Sequence, residues 1–383
     1  MSTAGSIKQV ANGTWGFVVD VPATNGARHQ LRRRGFRTKR EAQASLSTIL
    51  ADVHSGTFVA PSKMTFGHFL VDRWIPAMTP TVRATTAASY RQMAKHLERG
   101  VGGVVLGDLS GVHLTALYGR LLADGALSTR TVRYVHVTAH RALKDAVRWG
   151  LIRRNVADDA DAPRQTMPKP KAWTPAQVAT FLDVAADDRW AALWRLAATT
   201  GLRRGELIGL RWEDLDLSAA TLTVTRATVV VDGLAVESEP KTAHGRRRLA
   251  LDAQTIAALV DWRRTQVAER LFVGTSWTDS GPVFVWPDGT LLHPNVVTRT
   301  FARIAERAGL PSLTLHGLRH SWATTALIAG VPIKVVSDRL GHSSSRITID
   351  VYTASVPSLD AQAADLVAGM FSSRDQSVTS GRT

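Results

Sequence analysis

The sequence predicts a multidomain α+β protein in which helices predominate. At 383 residues the chain is longer than one compact core usually allows, so we expect two or three domains. Strand-like alternation opens the chain and returns between residues 221 and 251, whereas helical spacing of apolar residues fills most of the remainder. A hydrophobic content of 44% with 21% charged residues is typical of a folded globular protein.

The N-terminal region is expected to form a small unit of strands and one helix. Residues 13–21 and 30–36 alternate in polarity like two strands, and residues 25–26, Asn-Gly, suit the turn before the second one. Thr38 followed by Glu41 fits a capping box. The pattern therefore predicts a helix that begins just after Thr38 and packs on the short sheet.

Residues 64–160 are expected to form a helical domain. The apolar residues from Phe66 to Trp74 recur at helical spacing, and Pro76 and Pro80 are expected to end that first helix. Three further helices are expected to start at hydroxyl-bearing caps, namely Thr85 or Thr86, then Ser110, then Ser128.

A domain boundary is expected between residues 158 and 171, where proline and charged residues are concentrated. Beyond it, Thr174 and Pro175 suit a helix N-terminus with the threonine as cap. A β region with an Asp-Gly turn at residues 232–233 follows, and helices resume after it. The C-terminal half is therefore expected to be mainly helical with a small antiparallel sheet.

The charge balance favours a polyanionic partner. The formal net charge is +15 and the isoelectric point is near 10.9. Such a charge favours nucleic acid or an acidic membrane surface, although some globular proteins are simply basic. No stretch approaches the about 18 apolar residues of a membrane span, so nucleic acid is the favoured partner. The absence of cysteine excludes disulfides and cysteine-based zinc fingers and suits a reducing cytosol.

Basic side chains in three regions are candidates for DNA contact. For each of them an ordinary solvated surface residue is the alternative. The candidates are Arg32, Arg33, Arg34, Lys39 and Arg40 near the N-terminus, Arg83, Arg91, Arg130 and Arg133 in the helical region, and Arg204, Arg246 and Arg247 in the C-terminal half.

A glycine-containing turn between two predicted helices spans residues 200–206, Thr-Gly-Leu-Arg-Arg-Gly-Glu. A helix that starts after Gly201 can direct backbone N–H groups and the guanidinium of Arg203 at one anion. Glu206 can pair with an arginine and orient it from behind. A structural turn between helices remains the alternative.

Lys241 precedes a run of basic residues and a predicted strand, which places it near the tip of a β-hairpin. A lysine on such a hairpin can enter a DNA groove and protonate a leaving oxygen. A solvated lysine at a turn fits the pattern equally well.

Two histidines and an arginine are spaced along one predicted helix. His316 and His320 are four residues apart, as in some zinc sites, but Gly317 stands where the catalytic carboxylate of such a site would be, and no third ligand is close in the sequence. His316 and Arg319, three apart on one face, instead predict a phosphate clamp with a proton acceptor.

Tyr352 is one of four tyrosines and follows His342 by ten residues. A tyrosine is more often a core residue than a nucleophile, because a phenol with a pKa of about 10 reacts poorly unless cations favour its phenolate. The arginines, lysine and histidines of the same half of the chain can supply that environment. Together they match what phosphodiester transesterification requires.

On these motifs the chain resembles the tyrosine recombinases, and more narrowly the integrases of temperate phages and integrative elements. The resemblance covers almost the whole chain. It implies an arm-type DNA-binding domain with a three-stranded sheet and one helix at residues 1–60, a helical core-binding domain at 64–160 and a catalytic domain at 170–370. Residues 371–383 are polar and are expected to be a mobile tail.

The resemblance assigns six catalytic positions and one supporting acid: Arg203, Lys241, His316, Arg319, His342 and Tyr352, with Glu206 in support. The arginines would hold the non-bridging oxygens of the scissile phosphate, with a hydrogen bond from the second histidine. The first histidine would accept the phenolic proton as the tyrosine attacks, and the lysine would protonate the leaving 5′ oxygen. No metal, ATP or other cofactor is implied, because one phosphodiester is exchanged for another of similar energy.

The resemblance also implies the partners. These are double-stranded DNA at attachment core and arm-type sites, and a homotetramer on two paired sites with a Holliday-junction intermediate. A host architectural protein and an excisionase are further candidates. A short amphipathic stretch after Pro357 suits docking on a neighbouring subunit or packing on its own domain. The expected location is the cytoplasm of a bacterial host, at the nucleoid, without a membrane.

Three other functions remain open at this point. A sequence-specific DNA-binding protein without catalysis would share the charge and the domains but would not need the nucleophile. A type IB topoisomerase would share the chemistry but relax a single duplex. A metal-dependent nuclease or transposase would need clustered carboxylates, and the acidic residues of the C-terminal half are scattered.

Overall fold

The computed structural model describes residues 5–22, 28–56, 58–60, 62–125, 127–164, 171–239 and 245–342, with single positions 364, 368 and 371. The chain divides into two compact units, Met1–Met167 and Pro168–Thr383. The predicted α+β class, with small sheets and a mainly helical body, is confirmed. The division into domains at 1–60, 64–160 and 170–370 stays a prediction, and the proposed mobile tail lies outside the described residues apart from position 371.

The first unit begins with a three-stranded antiparallel sheet in the order β1 (Ser6–Gln9), β2 (Trp15–Pro22) and β3 (Arg28–Phe36). The two strands predicted from alternation are confirmed, and the third, β1, is the one that the resemblance implied. The Asn-Gly turn at residues 25–26 lies outside the described residues. Helix α1 (Lys39–His54) packs on the sheet.

The predicted capping box at the start of α1 is confirmed. The amide of Glu41 donates to the Thr38 hydroxyl at 3.2 Å, and the Glu41 carboxylate accepts from the Thr38 amide at 3.4 Å. Apolar residues of α1 and β2 then share one core, formed by Phe17, Val19, Val21, Ala42, Leu46 and Ile49.

The helical part of the first unit contains short and long helices around a second core. Its elements are α2 (Phe66–His68), α3 (Ile75–Met78), α4 (Ala84–Val101), α5 (Gly111–Ala123) and α6 (Thr129–Arg148). The predicted caps Ser110 and Ser128 are confirmed at the starts of α5 and α6. Phe66, Phe69, Leu70 and Trp74 are fully buried in this core.

The predicted start of the second helix is wrong. Helix α4 begins at Ala84 with Arg83 at its N-cap, instead of after Thr85 or Thr86. The Arg83 side chain makes no capping hydrogen bond. The two threonines are good cap residues, but they are accommodated inside the first turn, so the boundary is set by the extended backbone of Arg83 rather than by a hydroxyl cap.

The prediction that Pro76 ends the first helix is also wrong. Pro76 lies in the first turn of α3, directly after a π-helical segment, Phe69–Trp74. In that segment the amide of Ile75 donates to the carbonyl of Leu70, five residues back. The hydrogen-bond register has therefore already shifted when the chain reaches a residue without an N–H group. The segment closes at a 3₁₀ turn that contains Pro80, as expected.

The second unit is mainly helical. Up to residue 342 its α-helices are α7 (Pro175–Ala185), α8 (Ala191–Thr200), α9 (Arg204–Gly209), α10 (Ala253–Val273), α11 (Pro294–Arg307), α12 (Leu315–Ile328) and α13 (Ile333–Leu340). Thr174 caps α7 by accepting from the Gln177 amide at 3.3 Å, with Pro175 at the first helical position. This predicted N-terminus is confirmed.

Among the described residues, five strands lie between α9 and α10. Strands β4 (Leu215–Asp216), β5 (Thr221–Val224) and β8 (Arg247–Ala250) form one antiparallel sheet, and β6 (Ala227–Val231) pairs with β7 (Leu234–Ser238). The predicted Asp-Gly turn joins β6 to β7 with φ of 49° at Asp232 and 85° at Gly233. Within the described residues, no helix is both long and apolar enough to cross a membrane.

Candidate active site

The candidate site is organised around the turn that ends α13. Gly341 adopts a left-handed conformation, φ 66°, and ends the helix. Its carbonyl accepts from Arg203 Nη2 at 3.0 Å, and the carbonyl of Leu340 accepts from Arg319 Nη2 at 2.6 Å. His342 follows directly. Two arginines that are 116 residues apart in the chain (319 − 203) are therefore tied to one turn, beside a histidine.

The turn between α8 and α9 brings the first arginine to this place. Gly201 has φ of 64°, and an added Cβ would lie only 2.8 Å from Leu340 Cδ2. Its carbonyl also accepts from Arg319 Nη1 at 2.8 Å. Glycine is thus required here both by the left-handed backbone and by the close packing of two chain segments. That packing sets Arg203, two residues on, next to the turn at 341.

Glu206 lies behind Arg203 and bridges two arginines. One of its carboxylate oxygens accepts from Arg203 Nη1 at 2.8 Å, and the other accepts from the Arg203 amide at 2.9 Å. Arg247 donates to both oxygens, at 3.2 and 2.8 Å. Burial alone would raise the pKa of Glu206, but the hydrogen bonds and charges of Arg247 and Arg203 outweigh burial and hold this pKa below its usual value. The predicted pairing of Glu206 with an arginine is thus present in the structure.

The histidines of the site are held in their neutral form. His316 is in the first turn of α12, and His342 is half-buried after the turn. Burial, followed by the charges of Arg319 and Arg203, lowers the pKa of His342 to about 4. Burial, then His320, Arg319 and Arg203, likewise lower the pKa of His316. Neutral imidazoles can accept a proton or a hydrogen bond at pH 7.

His320 lies beside His316, with the two rings edge to face and their centroids 4.8 Å apart. Burial and then the charge of Arg319 lower the pKa of His320 as well. In the part of the chain that the structure describes, no group of three or more histidine or acidic side chains is placed to hold a metal ion. The charge of Arg319 acts on both histidines, so the pair lies in the cluster around this arginine.

Four of the six predicted catalytic residues, Arg203, His316, Arg319 and His342, are thus placed together. Lys241 and Tyr352 lie outside the described residues, and so do residues 343–351 between His342 and Tyr352. The amphipathic stretch after Pro357 is likewise outside, apart from single positions. The catalytic roles of all six remain predictions.

Two protein-family models match this chain. A model of the phage integrase family matches residues 171–358, and a model of an arm DNA-binding domain matches residues 6–53. The chain belongs to the tyrosine recombinases of the phage integrase family. It is therefore an enzyme of DNA strand exchange.

Individual proteins are similar to this recombinase over most of its length. It is 27% identical to a tyrosine recombinase XerC-like protein of Caldanaerobacter subterraneus subsp. tengcongensis over 94% of this chain and 98% of that protein. It is 29% identical to an integrase of Streptomyces ambofaciens over 89% of both chains. A crystal structure of a lambda integrase tetramer bound to a Holliday junction superposes with a TM-score of 0.59 at 18% identity, covering 90% of this chain and 94% of that one.

The consecutive arginines at the start of β8 in this recombinase lie in different environments. Arg247 is only 7% exposed and is bound to Glu206, whereas Arg246 is 65% exposed and lies 3.8 Å from Glu239. The DNA contact of Arg247 stays a prediction, but its guanidinium is buried and paired inside the protein. The sequence held a signal for this: Arg247 is in phase with Leu249 and Leu251, the apolar residues of an alternating strand.

The three consecutive arginines of β3 also point in different directions. Arg33 is opposite Phe17, whose buried side chain packs on α1. Because neighbouring strand residues alternate between faces, Arg32 and Arg34 share the face that turns away from α1. Both remain candidates for DNA contact on that face, and Arg33 stays a candidate only at the edge of the sheet.

The other predicted DNA contacts lie at the surface or close to it. Lys39 and Arg40 are exposed in the first turn of α1, Arg83 occupies the N-cap position of α4, Arg91 lies on α4, and Arg130 and Arg133 lie on α6. Arg204 is half-buried and donates to Thr298 at 2.7 Å, and burial lowers its pKa. Their contacts with DNA remain predictions.

Proposed function

We propose that this recombinase integrates or excises a mobile element by cutting and rejoining DNA strands through a 3′-phosphotyrosyl intermediate. The observation that carries the proposal is the meeting of Arg203, Arg319 and His342 at the turn of residues 340–341. Two guanidinium groups and a neutral imidazole around one point suit a phosphodiester whose negative charge grows in the transition state.

The arginines hold the non-bridging oxygens of the scissile phosphate. The side chain of Arg203 is 40% exposed, so it can meet a ligand from solvent. Arg319 is only 2% exposed and brings fixed positive charge to the floor of the site. His342 adds a hydrogen bond to the phosphate.

The chemical step is an exchange of one phosphodiester bond for another. The phenolic oxygen of Tyr352 attacks phosphorus, and its proton passes to neutral His316. The bond from phosphorus to the 5′ oxygen breaks, and Lys241 gives that oxygen a proton. This leaves a 3′-phosphotyrosyl bond and a free 5′-hydroxyl. The 5′-hydroxyl of a partner duplex then attacks phosphorus and releases the tyrosine, so atoms and charge balance over the two steps.

The proposed partners are double-stranded DNA and three further copies of this chain. The match to an arm DNA-binding domain supports binding to arm-type sites in addition to the attachment core. The likeness to a lambda integrase tetramer on a Holliday junction supports a tetramer that pairs two sites. A host architectural protein and an excisionase are further proposed partners. We place the protein at the nucleoid in the cytoplasm of a bacterial host.

The test uses attachment-site DNA recovered from the ends of the element that carries the gene. The DNA is nicked near the cleavage point, so that the released fragment diffuses away and the covalent adduct accumulates. Wild type is expected to form a protein–DNA adduct in EDTA, and Tyr352→Phe is expected to form none while binding the same DNA. Binding without adduct in wild type would overturn the proposal and favour a non-catalytic DNA-binding protein.

Two further controls separate the remaining alternatives. An adduct that requires magnesium would favour a metal-dependent nuclease. Relaxation of supercoiled plasmid that lacks the attachment site, without recombination of plasmids that carry it, would favour a topoisomerase.

A further inference from the structure

Arg247 connects the candidate site to the strand that follows the predicted lysine hairpin. It is the first residue of β8, and its side chain is 7% exposed. The guanidinium donates to both oxygens of Glu206 and to the carbonyl of Gly245. Its Nε donates to the carbonyl of Arg339 at 2.6 Å. One buried side chain thus joins the start of α9, the start of β8 and the end of α13.

Arg339, at the end of α13, in turn binds the main chain of β8. Its Nη2 donates to the carbonyl of Ala250 on β8 at 2.9 Å, and its guanidinium lies over the ring of Trp322, 5.3 Å from the centroid. Strand β8 and helix α13 are therefore tied by two arginines that each donate to the main chain of the other element. We call this pair, Arg247 and Arg339, the arginine lock.

The arginine lock lies directly before the turn of residues 340–341. Arg339 is followed directly by Leu340 and Gly341, whose carbonyls accept from Arg319 and Arg203. Arg247 also donates to the carboxylate of Glu206, and this carboxylate accepts from Nη1 and from the amide of Arg203. Arg203 is thus positioned from two directions, and Arg247 takes part in both.

We propose that Arg247 is a positioning residue for strand exchange, which fixes Arg203 through Glu206 and through the end of α13 and does not contact DNA. This inference rests on the proposed function, because it assigns Arg203 to the scissile phosphate. A direct DNA contact would require the guanidinium to leave Glu206, whose carboxylate is 5% exposed and would then keep a single arginine partner. Such a loss for a buried carboxylate is strongly unfavourable.

The experiment exploits the charge of the phosphate. Arg203 matters for cleavage because the phosphate is anionic, so a neutral methylphosphonate at the scissile position reduces the need for a well-placed guanidinium. A general packing defect would slow both substrates equally. The ratio of the two rates within one preparation is independent of the fraction of active protein, so it reports positioning specifically.

The variants are Arg247→Met and a matched control, Arg248→Met. Arg248 is the next residue on β8, lies on its opposite, exposed face and donates to Thr221. Both changes remove one positive charge from the same strand. Single-turnover cleavage at saturating protein is measured on nicked attachment-site DNA with either a phosphate or a pure methylphosphonate diastereomer, together with DNA affinity at several salt concentrations.

Arg247→Met is expected to cleave the phosphate substrate about 100-fold more slowly than wild type, the loss typical of one misplaced transition-state donor. On the methylphosphonate it should come within about threefold of wild type. Its DNA affinity and salt dependence should be unchanged. Arg248→Met should match wild type in cleavage of both substrates.

An equal loss on both substrates would overturn the inference in favour of a packing role. Weaker DNA binding, with a smaller salt slope and normal cleavage at saturation, would overturn it in favour of a direct phosphate contact. If Arg247→Met does not fold, Glu206→Gln carries the same comparison, since it weakens the same bridge at constant size. Wild-type adduct on the phosphate substrate is the reference, and its absence would refute the proposed function instead.

Discussion

Each compact unit buries a carboxylate among arginines, and the two carboxylates differ in what their partners do. In the first unit, Asp145 is 3% exposed, accepts from Trp74 Nε1 at 2.9 Å and pairs with Arg141 and Arg148. In the second, Glu206 is 5% exposed. Burial and charge pairing alone do not distinguish these two sites.

The difference lies in where the arginines come from and where else they bind. Arg141 and Arg148 are on the same helix as Asp145, within one turn, and are 43% and 64% exposed. Of the partners of Glu206, Arg203 lies three residues away at the start of the same helix, whereas Arg247 comes from β8, 44 residues after Arg203 (247 − 203). Both arginines also donate to main-chain carbonyls at the end of α13, so the Glu206 site differs from the Asp145 site in joining separate elements.

The sharpest test of this distinction is Arg319→Lys, which keeps the charge but not the two-pronged geometry. Lysine cannot reach the carbonyls of Gly201 and Leu340 together and still present a planar donor pair. We expect single-turnover cleavage of attachment-site DNA to fall about 10³-fold, with DNA affinity nearly unchanged. A fall of less than tenfold would show that Arg319 only supports the fold.

The second test replaces the acid of the second unit by its amide. Glu206→Gln keeps the size and removes the charge that pairs with Arg203 and Arg247. Cleavage is expected to fall about 100-fold, because Arg203 loses its fixed orientation. Adduct formation over time on nicked DNA measures this rate. A wild-type cleavage rate in Glu206→Gln would contradict a functional role for the Glu206 site.

The third test is the pH dependence of cleavage. With a pKa of about 4, His342 stays neutral down to about pH 5, and His316 shifts in the same direction. We therefore expect nearly constant single-turnover rates from pH 7 to 5.5. A histidine with an ordinary pKa of about 6.5 would be mostly protonated at pH 5.5, and dependence on its neutral form would slow cleavage about tenfold.

The lowered pKa values of these histidines also determine whether acid raises or lowers the free energy of unfolding. Between pH 6.5 and 4 the unfolded chain binds more protons at these histidines than the folded protein does, so the free energy of unfolding falls as pH falls. Denaturant unfolding followed at pH 7 and pH 5 measures this. A second unit that is equally stable at both values would contradict the lowered pKa values.

The smallest effect on cleavage is expected for Asp145→Asn, the matched amide change in the first unit. Its arginine partners are exposed, so losing the charge should lower the free energy of unfolding by about 1–2 kcal/mol and leave cleavage unchanged well below the melting temperature. Thermal melting and the adduct assay run together check both parts. Slower cleavage in this variant would mean that Asp145 is not confined to stabilising its domain.

Local signals in the sequence predict much of the fold. The capping box at Thr38, the threonine cap with proline at Thr174 and Pro175, and the Asp-Gly turn of β6 and β7 depend on neighbouring residues, and all are confirmed. The start of α4 was missed because the extended backbone of Arg83, and not a hydroxyl cap, sets it. Pro76 was misjudged because a π-helical shift of the hydrogen-bond register, which residue types do not reveal, lets the helix continue through it.

The residue types of the candidate site could be predicted from the sequence, but the hydrogen bonds that connect them could not. Arg203, His316, Arg319 and His342 belong to short motifs, and the structure brings them together. The buried position of Arg247 was missed inside a run of three arginines, which composition treats as equivalent. Its phase with Leu249 and Leu251 is the sequence signal that separates it from Arg248, and the strand register agrees by pairing Arg247 with buried Val224.

The turn at residues 340–341 also bears on how tightly the protein can hold DNA. Arg203 and Arg319 are already anchored to carbonyl oxygens of the chain itself. A long side chain that is immobilised only on binding typically costs about 0.5–1.5 kcal/mol in lost rotamer freedom. Because these two are held in advance, little conformational entropy remains to be lost when the phosphate arrives, and more of the contact energy is left to favour the pentavalent geometry.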